Sequence, residues 1–206
     1  MKVLVFCAHT DDAESGCGGT IARFIEEGKD VIYVAFSTCG KSVPYGFPQD
    51  ILKTEVKKAT RVLGIKPDNL ILFDYEVREF PAFRQPILED IVKLGKQFKP
   101  DLVILPSTYD SHQDHQVISR EGIRAFKDIS MMGYEMLRNN MTFPTKLFIT
   151  LTKNHINLKL KAMSHYQSQA IRSLPPMFYT NLAEIRGAQI GVKYAEAFEG
   201  IRWVIK

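Results

Sequence analysis

The feature that most narrows the fold is an alternation: a short apolar run, a loop, then a stretch with helical spacing, several times over. Lys2-Val3-Leu4-Val5-Phe6 reads as a buried strand, and Ile21-Ala22-Arg23-Phe24-Ile25 belongs to the helix that follows. Val31 to Ser37 is a second strand after the turn at Gly28-Lys29-Asp30. Gln49 to Leu63 carries Ile51, Leu52, Val56, Ala59, Val62 and Leu63 at helical spacing, and Gly64 closes that helix. Leu70-Ile71-Leu72-Phe73 is a third strand. Ile87 to Leu94 bears a helical stripe that Lys99-Pro100 stops, and Leu102 to Leu105 is a fourth strand ended by Pro106. Repeated β-α units predict an α/β fold: a Rossmann-like, mostly parallel sheet with helices on both faces, in three layers.

From Asp128 onward the pattern loosens. Lys146 to Leu151 reads as a strand, Asn154 to about Gln169 as a helix that Asn154 caps, Pro175-Pro176 as a loop, and Ile201 to Ile205 as a last strand. No repeat, linker or low-complexity segment divides the chain, so a single domain over residues 1–206 is expected. At 45% apolar and 24% charged residues the composition is that of a globular protein with a sizeable core. The net charge of +4 is mild and its basic residues are scattered, which argues against a nucleic-acid face. No segment approaches the ~20 consecutive apolar residues of a membrane span. The N-terminus resembles a signal peptide for six residues, then turns acidic without a cleavage site. Cys7, Cys17 and Cys39 lack a Cys-x-x-Cys pair and read as buried thiols of a reducing cytoplasm.

Two loops carry the chemistry. The first, Ala8-His9-Thr10-Asp11-Asp12-Ala13-Glu14, follows the first strand, and the second, Tyr109-Asp110-Ser111-His112-Gln113-Asp114-His115, follows the fourth. In an open α/β sheet both lie at the carboxyl ends of the strands, where such folds bind ligands. A pair of imidazoles and one carboxylate form a divalent-metal donor set that leaves positions open for water and substrate. More acids and imidazoles are present than a metal needs. A spare Asp could take a proton from water, and a spare His could steady an oxyanion or protonate a leaving amine.

Ala8-His9-Thr10-Asp11-Asp12-Ala13-Glu14 resembles the Ala-His-Pro-Asp-Asp-Glu signature of the LmbE-like (PIG-L) zinc-dependent N-acetylglucosamine deacetylases. Gly16-Cys17-Gly18-Gly19-Thr20 continues the match, and His112-Gln113-Asp114-His115 is similar to the family's His-Pro-Asp-His. Supporting likenesses follow at Glu55, Ala59, Leu63 and Gly64, at Tyr166-Gln167-Ser168-Gln169, and from Arg186-Gly187 to Phe198. The resemblance implies His9, Asp12 and His115 as ligands of zinc, with iron(II) as the other ion such a set accepts. It implies Asp11 as general base, His112 as oxyanion stabiliser or acid, and Asp114 as the group that holds an imidazole in its working tautomer. The implied substrate is a small N-acetylated amino sugar or its conjugate and the implied assembly a homo-oligomer, with the cytoplasmic location expected from the cysteines. Thr10 and Gln113 replace prolines of the family pattern, the acidic residue of the first motif is shifted by one, and Leu52 stands where an Arg often precedes the helix Glu.

Other readings are set beside these. Asp11 and Asp12 could be first-turn acids favoured by the helix dipole, and Asp114 could cap the helix that follows. Gly16, Gly18 and Gly19 partly match a dinucleotide-binding pattern, but the third spacing fails and acids would face the pyrophosphate. A Rossmann-like nucleotide-binding or oxidoreductase domain, or a non-catalytic metal- or sugar-binding module, is the alternative function. Loops 38–50, 74–86 and 170–182 are expected to form the rim, with Tyr45, Phe47, Phe80, Phe83, Arg84, Phe178 and Tyr179 as stacking or clamping side chains.

Overall fold

The computed structural model describes residues 1–205. Its seven strands are β1 (Lys2–Cys7), β2 (Asp30–Ala35), β3 (Leu70–Leu72), β4 (Leu102–Pro106), β5 (Ser130–Tyr134), β6 (Leu147–Leu151) and β7 (Tyr194–Arg202). Six helices accompany them: α1 (Asp12–Glu26), α2 (Ile51–Leu63), α3 (Arg84–Phe98), α4 (Gln113–Ala125), α5 (Lys153–Met163) and α6 (Pro176–Ala188). The strands form one sheet in the order β3-β2-β1-β4-β5-β7-β6. The first five are parallel, β7 runs antiparallel to β5, and β6 antiparallel to β7.

Alternation along β1 explains the three layers. Val3, Val5 and Cys7 face a core shared with Ile21 and Phe24 of α1, Leu52 and Val56 of α2, and Ala162 of α5. Leu4 and Phe6 face the opposite core, made with Ile87 and Ile91 of α3 and Val117 and Ile118 of α4. Both faces are covered, which is why the strand reads as a continuous apolar run. The strand order reverses between β1 and β4, so the crevice outside their carboxyl ends opens at the topological switch point.

The first two thirds agree with the sequence reading; the last third needs correction. A strand at Ser130–Tyr134 and a helix at Pro176–Ala188 were not expected. Pro176 begins that helix, where its missing N–H costs nothing, rather than lying in a loop. The final strand is Tyr194–Arg202, earlier than 201–205. Helix α5 stops at Met163, and Thr152 caps it in place of Asn154: its hydroxyl accepts from the His155 amide while His155 accepts from the Thr152 amide.

Helix α1 is broken at Cys17 (φ −142°, ψ 24°). The break exposes a fresh set of amides, and Glu196 of β7 accepts from Gly19 (3.1 Å) and Thr20 (2.7 Å). Lys159 of α5, itself buried, donates to the same carboxylate at 2.7 Å, so the buried charge is paired. Gly16 and Gly19 are needed for contact. A Cβ on Gly16 would stand 2.4 Å from the Tyr134 ring, and one on Gly19 2.6 Å from Leu151. These glycines pack the helix onto the sheet.

Candidate active site

Six side chains named from the sequence converge at the switch point. His9 and Asp11 come from the turn between β1 and α1 and Asp12 opens α1; His112 caps α4, and Asp114 and His115 lie in its first turn. Asp12, Asp114 and His115 are buried, as is His9 at 7% exposure, whereas Asp11 and His112 are partly open.

Three acceptor atoms meet at the centre. His9 Nδ1 and His115 Nε2 are 3.2 Å apart, His115 Nε2 lies 3.2 Å from Asp12 Oδ2, and His9 Nδ1 lies 3.4 Å from the same oxygen. The remaining ring nitrogens are already matched to carboxylates. His9 Nε2 faces Asp114 Oδ2 at 3.0 Å, and His115 Nδ1 faces Asp110 Oδ2 at 2.7 Å. If those nitrogens carry the protons, the inner two present lone pairs to one another and to a carboxylate, an arrangement that repels unless a cation sits within it.

The residues fit a small divalent ion. Four ligands at ~2.0–2.1 Å in a tetrahedron have their atoms about 3.3 Å apart, which matches this nearly equilateral triangle. The triad His9, His112 and His115 also offers nitrogens within 4.8 Å of one another. It is the looser set, and His112 Nδ1 is occupied by the Asp114 amide at 3.2 Å.

Electrostatics tell the same story. Burial alone would lower the imidazoles, but the charge of Asp12 and the carboxylate hydrogen bonds outweigh it, raising His9 to about 9 and His115 to about 10. Burial likewise opposes ionisation of Asp12, yet His115 and His9 hold it well below the carboxylate range. The pocket draws positive charge. Asp11 goes the other way: burial, then the charge of Asp12, push it up to about 6. Burial and the two neighbouring imidazoles hold His112 below its usual value.

Several holding contacts escaped the sequence reading. Asp110 sits inside the quoted loop, but no spacing rule marks it as the partner of His115. Glu199 of β7 fixes the end of β4 by accepting from Ser107 Oγ and the Thr108 amide, each at 2.8 Å. Glu55 accepts from the amide (2.9 Å) and hydroxyl (2.6 Å) of Ser168, which sets Gln169 on the cavity wall. Asp114 does not cap α4. That task falls to His112, and the Asp114 carboxylate instead accepts from the Arg78 amide at 2.6 Å.

Glu14, shifted by one from the family pattern, lies beneath the first loop. Tyr33 donates toward the Thr10 carbonyl and Glu14 Oε2, both at 2.6 Å, and Tyr166 reaches the same carbonyl and Glu14 Oε1 (2.8 Å). Burial raises Glu14 to about 8 in spite of these bonds. A neutral carboxyl supplies a third proton to a network of four contacts. Thr10 thus has its carbonyl clamped where the family pattern has a proline ring.

Two cavities flank Asp11 and share Gln169 and Arg172. One, of about 360 Å³, holds His9 and His112; the other, of about 130 Å³, holds Asp12, Tyr166 and Tyr179. The expected rim is borne out only in part. Tyr179 lines the smaller cavity, but Phe80 is fully buried, Tyr45 points into solvent, and Arg84 pairs with Glu121.

Residues 4–126 match the family model described as PIG-L, GlcNAc-PI de-N-acetylase. The diacetylchitobiose deacetylase of Thermococcus kodakarensis is 25% identical over 228 residues, covering 98% of this chain and 83% of the relative. Among solved structures, the conserved protein TT1542 of Thermus thermophilus superposes with a TM-score of 0.81 at 25% identity, over 99% of this chain and 96% of the other. The N,N'-diacetylchitobiose deacetylase of Pyrococcus horikoshii, solved with an inhibitor, gives 0.76 at 25% identity, over 96% and 82%.

Proposed function

The chain belongs to the PIG-L family, and from that premise we propose that it is a metal-dependent hydrolase that removes the acetyl group from an N-acetylated amino sugar. The observation that carries this reading is the triangle of acceptor atoms contributed by His9, Asp12 and His115, whose sides suit zinc or iron(II). Held there, the ion would supply Lewis acidity, lowering the pKa of water towards ~7 and polarising the amide carbonyl.

The protein's own groups do the rest. Asp11 borders both cavities and accepts no hydrogen bond from another side chain among the described residues, so its oxygens are free to take a proton from the attacking water. His112 accepts the Asp114 amide at Nδ1, which leaves the proton of the neutral ring on Nε2. With its pKa below the usual value, it serves as a neutral N–H donor to the oxygen that gains charge. Asp114 and Asp110 keep His9 and His115 in the tautomers that turn lone pairs inward. The proton that Asp11 takes passes to the nitrogen as the amide C–N bond breaks, so the products are the free amine and acetate.

Elemental analysis of protein purified without chelator or affinity-tag histidines, together with acetate release from N-acetylated sugars, tests the reading. About one zinc or iron per chain is expected in the wild type and none in His115→Ala, with activity lost alongside it. A wild type that takes up no ion even when zinc is supplied would overturn it.

A further inference from the structure

Above the floor of imidazoles and acids, the wall of the larger cavity carries Lys41, Arg78, Arg172 and Gln169. Of these, Gln169 and Arg172 also line the smaller cavity, as Asp11 does. The proposed hydrolysis uses only Asp11 of the three residues that the cavities share. Arg172 is exposed, but Gln169 is buried, and a buried amide is expected to have both of its ends matched. One end is.

A chain of hydrogen bonds decides which end of the Gln169 amide is turned outward. Glu55 of α2 is buried, and both of its oxygens accept from Ser168, Oε1 from the amide at 2.9 Å and Oε2 from the hydroxyl at 2.6 Å. A serine hydroxyl has a single proton. Once it is given to the carboxylate, Ser168 Oγ can only accept, and it takes the Gln169 Nε2 donor at 3.2 Å. The nitrogen is therefore held toward Ser168 and Oε1 faces away from it. Among the described residues Oε1 accepts no hydrogen bond, yet it is not one of the sealed polar atoms, so it is reached from the space that Gln169 lines.

The backbone beneath is fixed too. Gln169 donates its amide to the Tyr166 carbonyl at 3.0 Å, and its own carbonyl accepts from the amides of Arg172 (2.9 Å) and Ser173 (3.0 Å). Tyr166 reaches across to the Thr10 carbonyl, the peptide group that leads into Asp11. The open acceptor is thus tied, through three residues of main chain and one tyrosine, to the loop that carries the proposed base.

We propose that Gln169 Oε1 accepts a hydrogen bond from the N–H of the substrate's acetamide, with Glu55 and Ser168 as the positioning residues that turn it; the inference rests on the deacetylase reading. The nitrogen belongs at this shared wall because Asp11, which hands it a proton, stands there. A secondary amide nitrogen carries one hydrogen. With that N–H held by Gln169, the lone pair that appears as water adds to the carbonyl carbon is kept off the glutamine and left for the proton on Asp11. The nitrogen grows more positive as it takes that proton, so the contact strengthens on the way to the transition state and acts on kcat rather than on KM. A neutral oxygen does this without placing a second negative charge beside Asp11.

Glu55→Gln tests the turning without touching either cavity. Its new amide would donate to Ser168 Oγ, whose proton then draws Gln169 Oε1 inward and leaves the Gln169 NH2 facing the substrate. For acetate release from N-acetylglucosamine, Gln169→Met and Glu55→Gln should each lower kcat about tenfold with KM within about twofold, and the double variant should fall no further than Gln169→Met. Titration with glucosamine, the product amine, reads the same contact without turnover, and its affinity should fall by about fivefold in each single variant and no further in the double. Gln169→Met judges the contact by itself if Glu55→Gln does not fold. Additive losses, a raised KM at unchanged kcat, no binding of glucosamine by the wild type, or unchanged affinity in the variants overturns the proposal. A wild type that shows the affinity pattern but releases no acetate removes the reaction alone. Acetate release that neither substitution alters removes the Gln169 contact alone.

Discussion

His9 and Arg78 approach the same oxygen of Asp114, yet they stand for two kinds of construction. The imidazole is buried, and both of its ring nitrogens face groups that constrain them. The guanidinium belongs to the same residue whose amide Asp114 anchors, is exposed, and has no side-chain partner among the described residues. On the floor every charge is set by its neighbours, so removing one leaves others buried and unmatched. On the wall Lys41 is matched by Glu76 and Glu79, while the guanidinium groups of Arg78 and Arg172 have no ion-pair partner among the described residues, so replacing either arginine leaves no buried charge unmatched.

The sharpest way to break that division is Asp11→Asn. The substitution keeps shape and metal but removes the base, and turnover should fall by about 10²–10⁴-fold, measured as acetate released by metal-loaded protein. A variant that hydrolyses at the wild-type rate would take Asp11 out of the mechanism. A smaller effect is expected from Asp110→Asn, which touches neither the ion nor the cavity. Loosening the ring of His115 should weaken metal affinity by about 10–100-fold, read by competition with a chelator. Unchanged affinity would mean that the floor is less interdependent than its hydrogen bonds suggest.

The mildest test is pH. Asp11 must be ionised to act, and it is raised from 3.8 to about 6, so kcat/KM should rise with pH and level off above the folded-state value. A bound cation favours the ionised form, which places the acid limb at or below about pH 6, with roughly a tenfold loss per unit beneath it. Asp11→Asn should lack this limb; its persistence would assign it to another group.

Both loops of the floor were legible in the sequence because their residue types are unusual for a strand end, and the strand positions told where they would meet. What stayed hidden was of two kinds. Strand β5 includes Met131, Met132 and Gly133, which carry little strand preference. It forms because β4 and β7 flank it, and a Cβ on Gly133 would stand 2.8 Å from the Ser107 Cα. Strand β7 reads as polar because Glu196 and Glu199 point into the protein, against the rule that acids face water, and each is matched there by donors distant in sequence. Arg78 leaves no signal at all: its positive φ and the carboxylate that holds its amide are visible only in three dimensions.

Gly19 and Glu196 are 177 residues apart, and Thr108 and Glu199 are 91 apart. The carboxylates that brace the two loops therefore come from the final stretch of the chain, although every proposed ligand has been laid down by His115. On a ribosome, where the N-terminal portion emerges first, the ligands are available long before the braces are. Until β7 slots between β5 and β6, a nascent chain would carry the proposed donor set on loops that lack these braces. Bracing of the two loops is thus timed by the synthesis of β7, and a chain interrupted shortly before Tyr194 would lack both carboxylates that fix them.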